Sequence, residues 1–149
     1  MQHGELVAVT TSLGLHREPQ TETELLTPQR EMNRRVHAAV FNIDKVLATF
    51  TGRPPPMLSL AYSSTPLPLD PSDQVLLSGD LVTVTASLDS HGWSKNRRIF
   101  YTTILRAWAM FARIRHDILE LFEVSREILS EESTQRATCV FTLYSHTLM

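Results

Sequence analysis

Cysteine is almost absent: the 149-residue chain has one, Cys139. A single thiol cannot close an internal disulfide, which sets aside the secreted, stapled scaffolds. Glycine is scarce as well, with five in all, and none belongs to a phosphate-cradling loop. Long apolar runs are missing; the longest is a few residues, against the ~20 that a membrane-spanning helix needs, so no membrane partner is expected. The first residues show no basic start, apolar stretch and small-residue cleavage site of a secretory leader. Excess charge is missing too. Fourteen Lys and Arg against sixteen Asp and Glu give −2 at pH 7, whereas a nucleic-acid binder is normally basic. What is present is ordinary: 42% hydrophobic and 20% charged residues, on a length that suits one domain and can bury roughly two thirds of its unfolded surface. These features point to a soluble intracellular domain and name no function.

The pattern along the chain is helical. Leu6, Val9 and Leu13 recur at spacings of three and four, which predicts a short helix over 3–14 with Gly14 near its cap. The polar stretch 21–27 reads as a linker. Thr27 can then cap and Pro28 can take the first helical position. Met32, Val36, Ala39, Val40, Ile43, Val46, Leu47 and Phe50 lay one apolar face along about six turns. Gly52, followed by Pro54, Pro55 and Pro56, stops that helix. Six of the eight prolines fall in 52–71, a rigid, mostly extended connection.

Residues 73–89 are ambiguous. Val82, Val84, Ala86 and Leu88 alternate as a strand would, yet nothing else in the chain offers a strand to pair with it, so a helix is expected. Residues 90–98 read as a loop. Phe100, Ile104, Ala107, Trp108, Phe111, Ile114, Ile118, Leu121 and Phe122 form a stripe on a long helix, and Ala137, Val140, Phe141, Tyr144 and Leu148 mark a final one. The predicted architecture is all-α, a helical bundle or superhelical array of about five helices in one domain over 1–149.

Signs of chemistry are weak. His3, His16, His37, His91, His116 and His146 form no close pair at metal-ligand spacing, so no metal site is predicted. Cys139 lies among apolar residues and reads as a small buried hydrophobe. His116 can meet Glu120 one turn on, with Asp117 beside it, but a solvated helix face explains such a pair without a cleft or a catalytic role. No nucleophile motif is present, and no enzyme is expected. Arg30, Arg34, Arg35 and Lys45, and the cluster Lys95, Arg97 and Arg98, are diluted by acids and read as structural or solvated cations, with no DNA-contact residue among them. Asp44 follows Ile43 at the edge of an apolar face and needs a partner; Arg17 or Arg53 from the flanking loops is expected to supply it. The apolar stripes read as core, with an effector cavity lined by Trp93, Trp108, Met110 and Phe111 as the functional alternative.

One set of residues is specific. Gly14-Leu15-His16-Arg17-Glu18, then Glu31-Met32-Asn33-Arg34-Arg35-Val36, Phe41, Asp44 and Gly52-Arg53-Pro54-Pro55 occur in order. Over residues 13–56 this resembles the fungal-specific transcription factor domain, the middle homology region of fungal zinc-cluster regulators. In that family an Arg pair opens a helix, an Asp follows, and Gly-Arg-Pro-Pro ends it. The match thins from 57 to 124, and past 125 the chain is compatible only.

The resemblance implies that Arg34, Arg35, Asp44, Gly52, Arg53 and Pro54 are motif residues with structural roles. His37 and Ala38 stand where the family usually carries Trp, so local packing must differ. The resemblance also implies a nuclear regulatory domain that controls transcription through intramolecular contacts, protein partners, self-association or a small effector. DNA and zinc belong to a six-cysteine module that this chain, with Cys139 alone, cannot build, so no cofactor is expected here. Relative to the family's domain both ends look cut, as in a partial domain. A free-standing helical interaction module is the alternative.

Overall fold

The computed structural model describes residues 3–18, 27–52, 58–96 and 98–147, and for Leu81 and residues 131–147 the backbone alone. Among the described residues five α-helices follow one another: α1 (His3–Ser12), α2 (Pro28–Thr51), α3 (Asp73–Leu77), α4 (Leu81–Ala86) and α5 (Tyr101–Thr147). The fold is all-α, and a 3₁₀ turn at Leu60–Tyr62 interrupts the connection between α2 and α3.

Local chemistry sets the ends of α2. The Thr27 side chain accepts from the Arg30 N–H at 3.2 Å, and Pro28 begins the helix. Gly52 closes it at φ 59°, a left-handed conformation that costs glycine nothing. Residues 73–89 are helical, as two short pieces rather than one: Ser72 and Asp80 each cap a start, and Gly79 turns the chain between them at φ 70°. The loop that follows is pinned by an antiparallel bridge between Leu88 and Ser94.

Two expectations are corrected. The final helix is not separate: α5 runs unbroken for 47 residues, because residues 123–136 contain neither Gly nor Pro to stop it. The larger correction concerns which faces are inside. Of the apolar stripe on α2, Val40 is buried, but Met32, Val36, Ile43, Leu47 and Phe50 are exposed. Its buried residues are instead Glu31, Arg35, His37, Ala38, Val40, Phe41, Asp44, Lys45 and Ala48. On α5 the inner face is Thr102, Leu105, Arg106, Ala109, Ala112 and His116, while Ile104, Trp108, Phe111, Ile114, Ile118, Leu121 and Phe122 face solvent. On α1 likewise Val7 and Thr10 are buried and Val9 and Leu13 are not.

The cause lies in the connection after α2. Proline leaves such a segment unable to join a ladder, and buried backbone groups must still find partners. Side chains of α2 and α5 supply them. Lys45 donates to the Leu58 carbonyl and Asp44 accepts from the Leu58 N–H. Glu31 accepts from the Leu69 N–H, Arg106 donates to the Pro68 carbonyl, and Arg113 donates to that of Thr65. Polar residues therefore occupy the inner faces. The apolar core is correspondingly small, with Val7, Val40, Phe41, Leu58 and Ala112 at its centre.

Candidate functional site

The motif residues meet along the inner face of α2. Arg34 grips Glu18 with two parallel bonds, Nε to Oε2 at 2.7 Å and Nη2 to Oε1 at 2.6 Å, which ties the loop after α1 to the helix. This fork-to-fork geometry is the strong form of the pair. Arg35 turns the other way: its Nε donates to Glu31 at 3.0 Å and its Nη1 to Asp73 at 2.8 Å, the first residue of α3. Glu31 is wholly buried. Burial raises its carboxyl above the usual range, and the Leu69 N–H, Arg35 and Arg34 only partly offset that. The Arg pair is thus a two-way brace between the loop after α1 and α3.

Asp44 lies 3% exposed about two turns and a half after Arg35. Its Oδ1 sits 2.9 Å from His3 Nε2, and its Oδ2 accepts from Lys45 Nζ at 2.9 Å and from the Leu58 N–H at 3.1 Å. Burial works to raise this carboxyl, but those three partners outweigh it and hold it below its usual value. Burial lowers the Lys45 amine, more than the attraction of Asp44 restores. Its ammonium also stands 4.6 Å from the centre of the Phe41 ring. Arg17, one of the two partners expected for Asp44, is exposed on its loop; Arg53 and Pro54 lie outside the described residues.

Sequence reasoning missed Glu31, Lys45, His3 and Asp73 as members of this seam. The only local signal was Glu31 and Arg35 at i,i+4. A second knot was missed entirely: Asp70, 2% exposed, accepts from the hydroxyls of Thr102 at 2.7 Å and Thr103 at 2.9 Å. Arg106 beside it donates to the His91 carbonyl and stacks over Trp93, 5.0 Å from the ring centre.

His37 and Ala38 are both 6% exposed, in the stretch where the family's Trp is expected. The His37 ring lies alongside Phe41, with Nε2 3.4 Å from the Ser63 hydroxyl. Burial, with the nearby His16 and Arg113 charges, lowers its pKa to about 4, so it is neutral at physiological pH.

His116 corrects a further expectation. It is 2% exposed rather than solvated, accepts from the Leu60 N–H at 3.2 Å, and stands 3.0 Å from the half-exposed Glu120. Burial and Lys45 lower its pKa, against the pull of Glu120, Asp117 and Asp44. This imidazole forms one wall of a groove of about 830 Å³ between the C-terminal end of α2 and the middle of α5. Ala48, Thr49, Ile118, Leu119 and Phe122 give the groove an apolar floor; Arg115, Glu120, Glu123, Arg126 and Glu127 give it a rim of both signs. An apolar floor with convergent polar groups is the composition of a ligand or peptide site. Trp108, Met110 and Phe111, expected to line an effector cavity, stand exposed elsewhere on α5, and Trp93 packs on Arg106.

Among the described residues no group of three or more His, Cys, Asp or Glu is placed to hold an ion, and Cys139 lies where only the backbone is described. Nor is any helix among them long and apolar enough to cross a membrane.

Comparison with known proteins identifies a family. The model of the fungal specific transcription factor domain aligns with residues 1–143. No curated protein and no solved structure matches the chain.

Proposed function

Because the chain belongs to the fungal specific transcription factor domain family, we propose that it is the regulatory part of such a factor, controlling transcription through contacts made at the groove between α2 and α5. The family is one of transcription factors and not of enzymes. The proposed place of action is the nucleus, and DNA is reached through a separate zinc-holding module, since this chain has a single cysteine. Arg34, Arg35 and Lys45, its best candidates for phosphate contacts, are already engaged in ion pairs.

The observation that carries the reading is the groove itself. A volume of about 830 Å³ falls within the roughly 300–1,000 Å³ of ligand sites. Its floor suits an apolar body and its rim of arginines and glutamates suits a polar edge, so the occupant is an amphipathic effector or the apolar face of a partner segment. The groove is also built on the element that the ionic seam positions. Ala48 and Thr49 follow Lys45 by one turn, and His116 links the α5 wall to the connection through Leu60.

The test is a reporter assay. The chain is placed between a heterologous DNA-binding domain and an activation domain, and output is compared with the same fusion lacking it. The expected result is an output changed by the chain, and restored toward the simpler fusion by Thr49→Trp, which fills the groove from an exposed position. Equal output with and without the chain, or an effect indifferent to Thr49→Trp, Glu123→Arg and Arg126→Glu alike, would overturn the proposal.

A further inference from the structure

Two neighbours of His116 ask opposite things of one atom. Its Nε2 stands 3.2 Å from the Leu60 N–H, a donor, and 3.0 Å from Glu120 Oε1, an acceptor when ionised. A ring nitrogen has one site in the imidazole plane: bare it accepts, protonated it donates. The neutral ring with its proton on Nδ1 therefore holds Leu60 and turns a lone pair toward Glu120. The doubly protonated ring holds Glu120 and sets an N–H against that of Leu60. The other nitrogen does not decide between them, since Nδ1 is buried without a hydrogen-bond partner among the described residues.

We infer that His116 is a proton-operated latch: neutral, it fastens the turn at Leu60–Tyr62 to α5; protonated, it releases that turn and draws in Glu120. The groups around the ring set its resting state. From α2 come Lys45 and Asp44, the latter also bonded to His3 of α1; from α5 come Asp117 and Glu120. The connection brings the Leu60 N–H, and the Phe41 ring meets the imidazole edge-on at 5.8 Å. Burial and Lys45 favour the neutral ring and hold its pKa below the ordinary 6.5. The latch is therefore fastened near neutrality and opens in acid. Glu120 makes opening possible, because its half-exposed carboxylate meets the new charge without a second burial.

What the latch moves is a wall of the groove. Ser59, whose hydroxyl caps the turn at the Ala61 N–H, lines that groove together with His116 and Glu120. Opening loosens the wall and turns an acid away from the rim, so contacts made in the groove near neutrality weaken as the pH falls. This consequence rests on the regulatory reading of the groove; the latch itself does not.

The Leu58 amide is an internal control. Two residues before Leu60, it is held by the Asp44 carboxylate, which stays ionised in mild acid because its pKa lies below 3.8. The experiment is NMR on the full chain from about pH 7 to about pH 5, following the His116 ring and the exchange of backbone amides. After correction for the intrinsic pH dependence of exchange, Leu60 protection is expected to fall about tenfold along the His116 titration, and that of Leu58 by less than about twofold. Glu120→Gln removes the charge and can donate to Nε2, so His116 is expected to titrate at a lower pH and Leu60 to open with it. His116→Gln offers an acceptor and a donor together and is expected to keep Leu60 protected throughout.

Leu60 and Leu58 opening together, Leu60 protection indifferent to pH, or a His116 midpoint that Glu120→Gln leaves in place or raises would overturn the latch. So would a pH-dependent Leu60 in His116→Gln. The Ser59 amide resonance reads the wall: it is expected to follow the His116 titration, and one that stays still would overturn the link to the groove. None of these readouts passes through transcription. A failed reporter assay therefore leaves the latch standing, and a failed latch leaves the groove to its own test.

Discussion

Replacing Asp44 by Ala removes one partner of a buried charge pair and leaves the other in place. Lys45 is wholly buried, and without Asp44 its ammonium keeps the Leu58 carbonyl, the Phe41 ring and the weaker pull of Glu120. The Leu58 N–H and His3 also lose their acceptor. Breaking a buried pair in this one-sided way costs about 3–5 kcal/mol, a large share of the roughly 5–15 kcal/mol that holds a domain together. With an unfolding entropy near 0.3 kcal/mol per kelvin for this length, the midpoint is expected to fall by roughly 10–15 °C.

The double variant Asp44→Ala with Lys45→Met separates a lost interaction from a stranded charge. Without the ammonium most of the cost disappears, so the double variant is expected to melt well above the single one. Differential scanning calorimetry on the three proteins decides it. The pH dependence has a fixed sign: a carboxyl held below its ordinary value of 3.8 adds stability above about pH 4, lost as the pH falls through its lower folded value. An unchanged midpoint in Asp44→Ala, or a double variant no better than the single, would refute the reasoning.

His37 weakens the fold in the same direction, but at a higher pH. Its folded pKa of about 4 lies below the ordinary 6.5, so the unfolded chain takes up the proton first, and about 2 kcal/mol of stability is lost between pH 6.5 and pH 5; urea midpoints should show a shallower fall in His37→Gln, and an identical slope would count against it. Gly92 stands at φ 81°, and a Cβ there would lie 2.9 Å from Leu69 Cδ2 and 3.2 Å from Arg106 Nη2. Gly92→Ala is therefore expected to cost about 2–4 kcal/mol. Gly52→Ala, at φ 59° with open space around it, should cost only about 1–2 kcal/mol; equal urea midpoints for the two variants would show that the contact at Gly92 has no effect.

The limits of α2 were legible in the sequence because caps are local: Thr27, Pro28 and Gly52 act within a few residues of their own position. The break between α3 and α4 at Gly79 was not read, and residues 73–89 were expected as one helix. The buried face was not legible. Periodicity assigns apolar residues to the inside, and that holds only when the inside asks for nothing polar. Here a proline-rich segment lies against α2 and α5 and needs donors and acceptors at Leu58, Leu69 and Pro68, groups 13 to 38 residues away from the side chains that serve them. Such pairings are non-local, and no spacing rule within one helix reveals them.

The Arg34–Arg35 motif was recognisable for a related reason. Its two directions of pairing, to Glu18 and to Asp73, fix residue identity in a way that plain packing would not. The groove stayed hidden because it arises where α5 outruns α2, and the sequence reading ended α5 too early, at residue 122.

The pair of α2 and α5 is inverted, with charged side chains inside it and apolar stripes outside. The chain's two lysines test this most directly, since Lys45 is wholly buried while Lys95 is exposed. Brief treatment of the folded chain with an amine-acylating reagent, read by peptide mass spectrometry, should modify Lys95 and leave Lys45 untouched until denaturant is added. Equal labelling of both lysines in the native chain would contradict it.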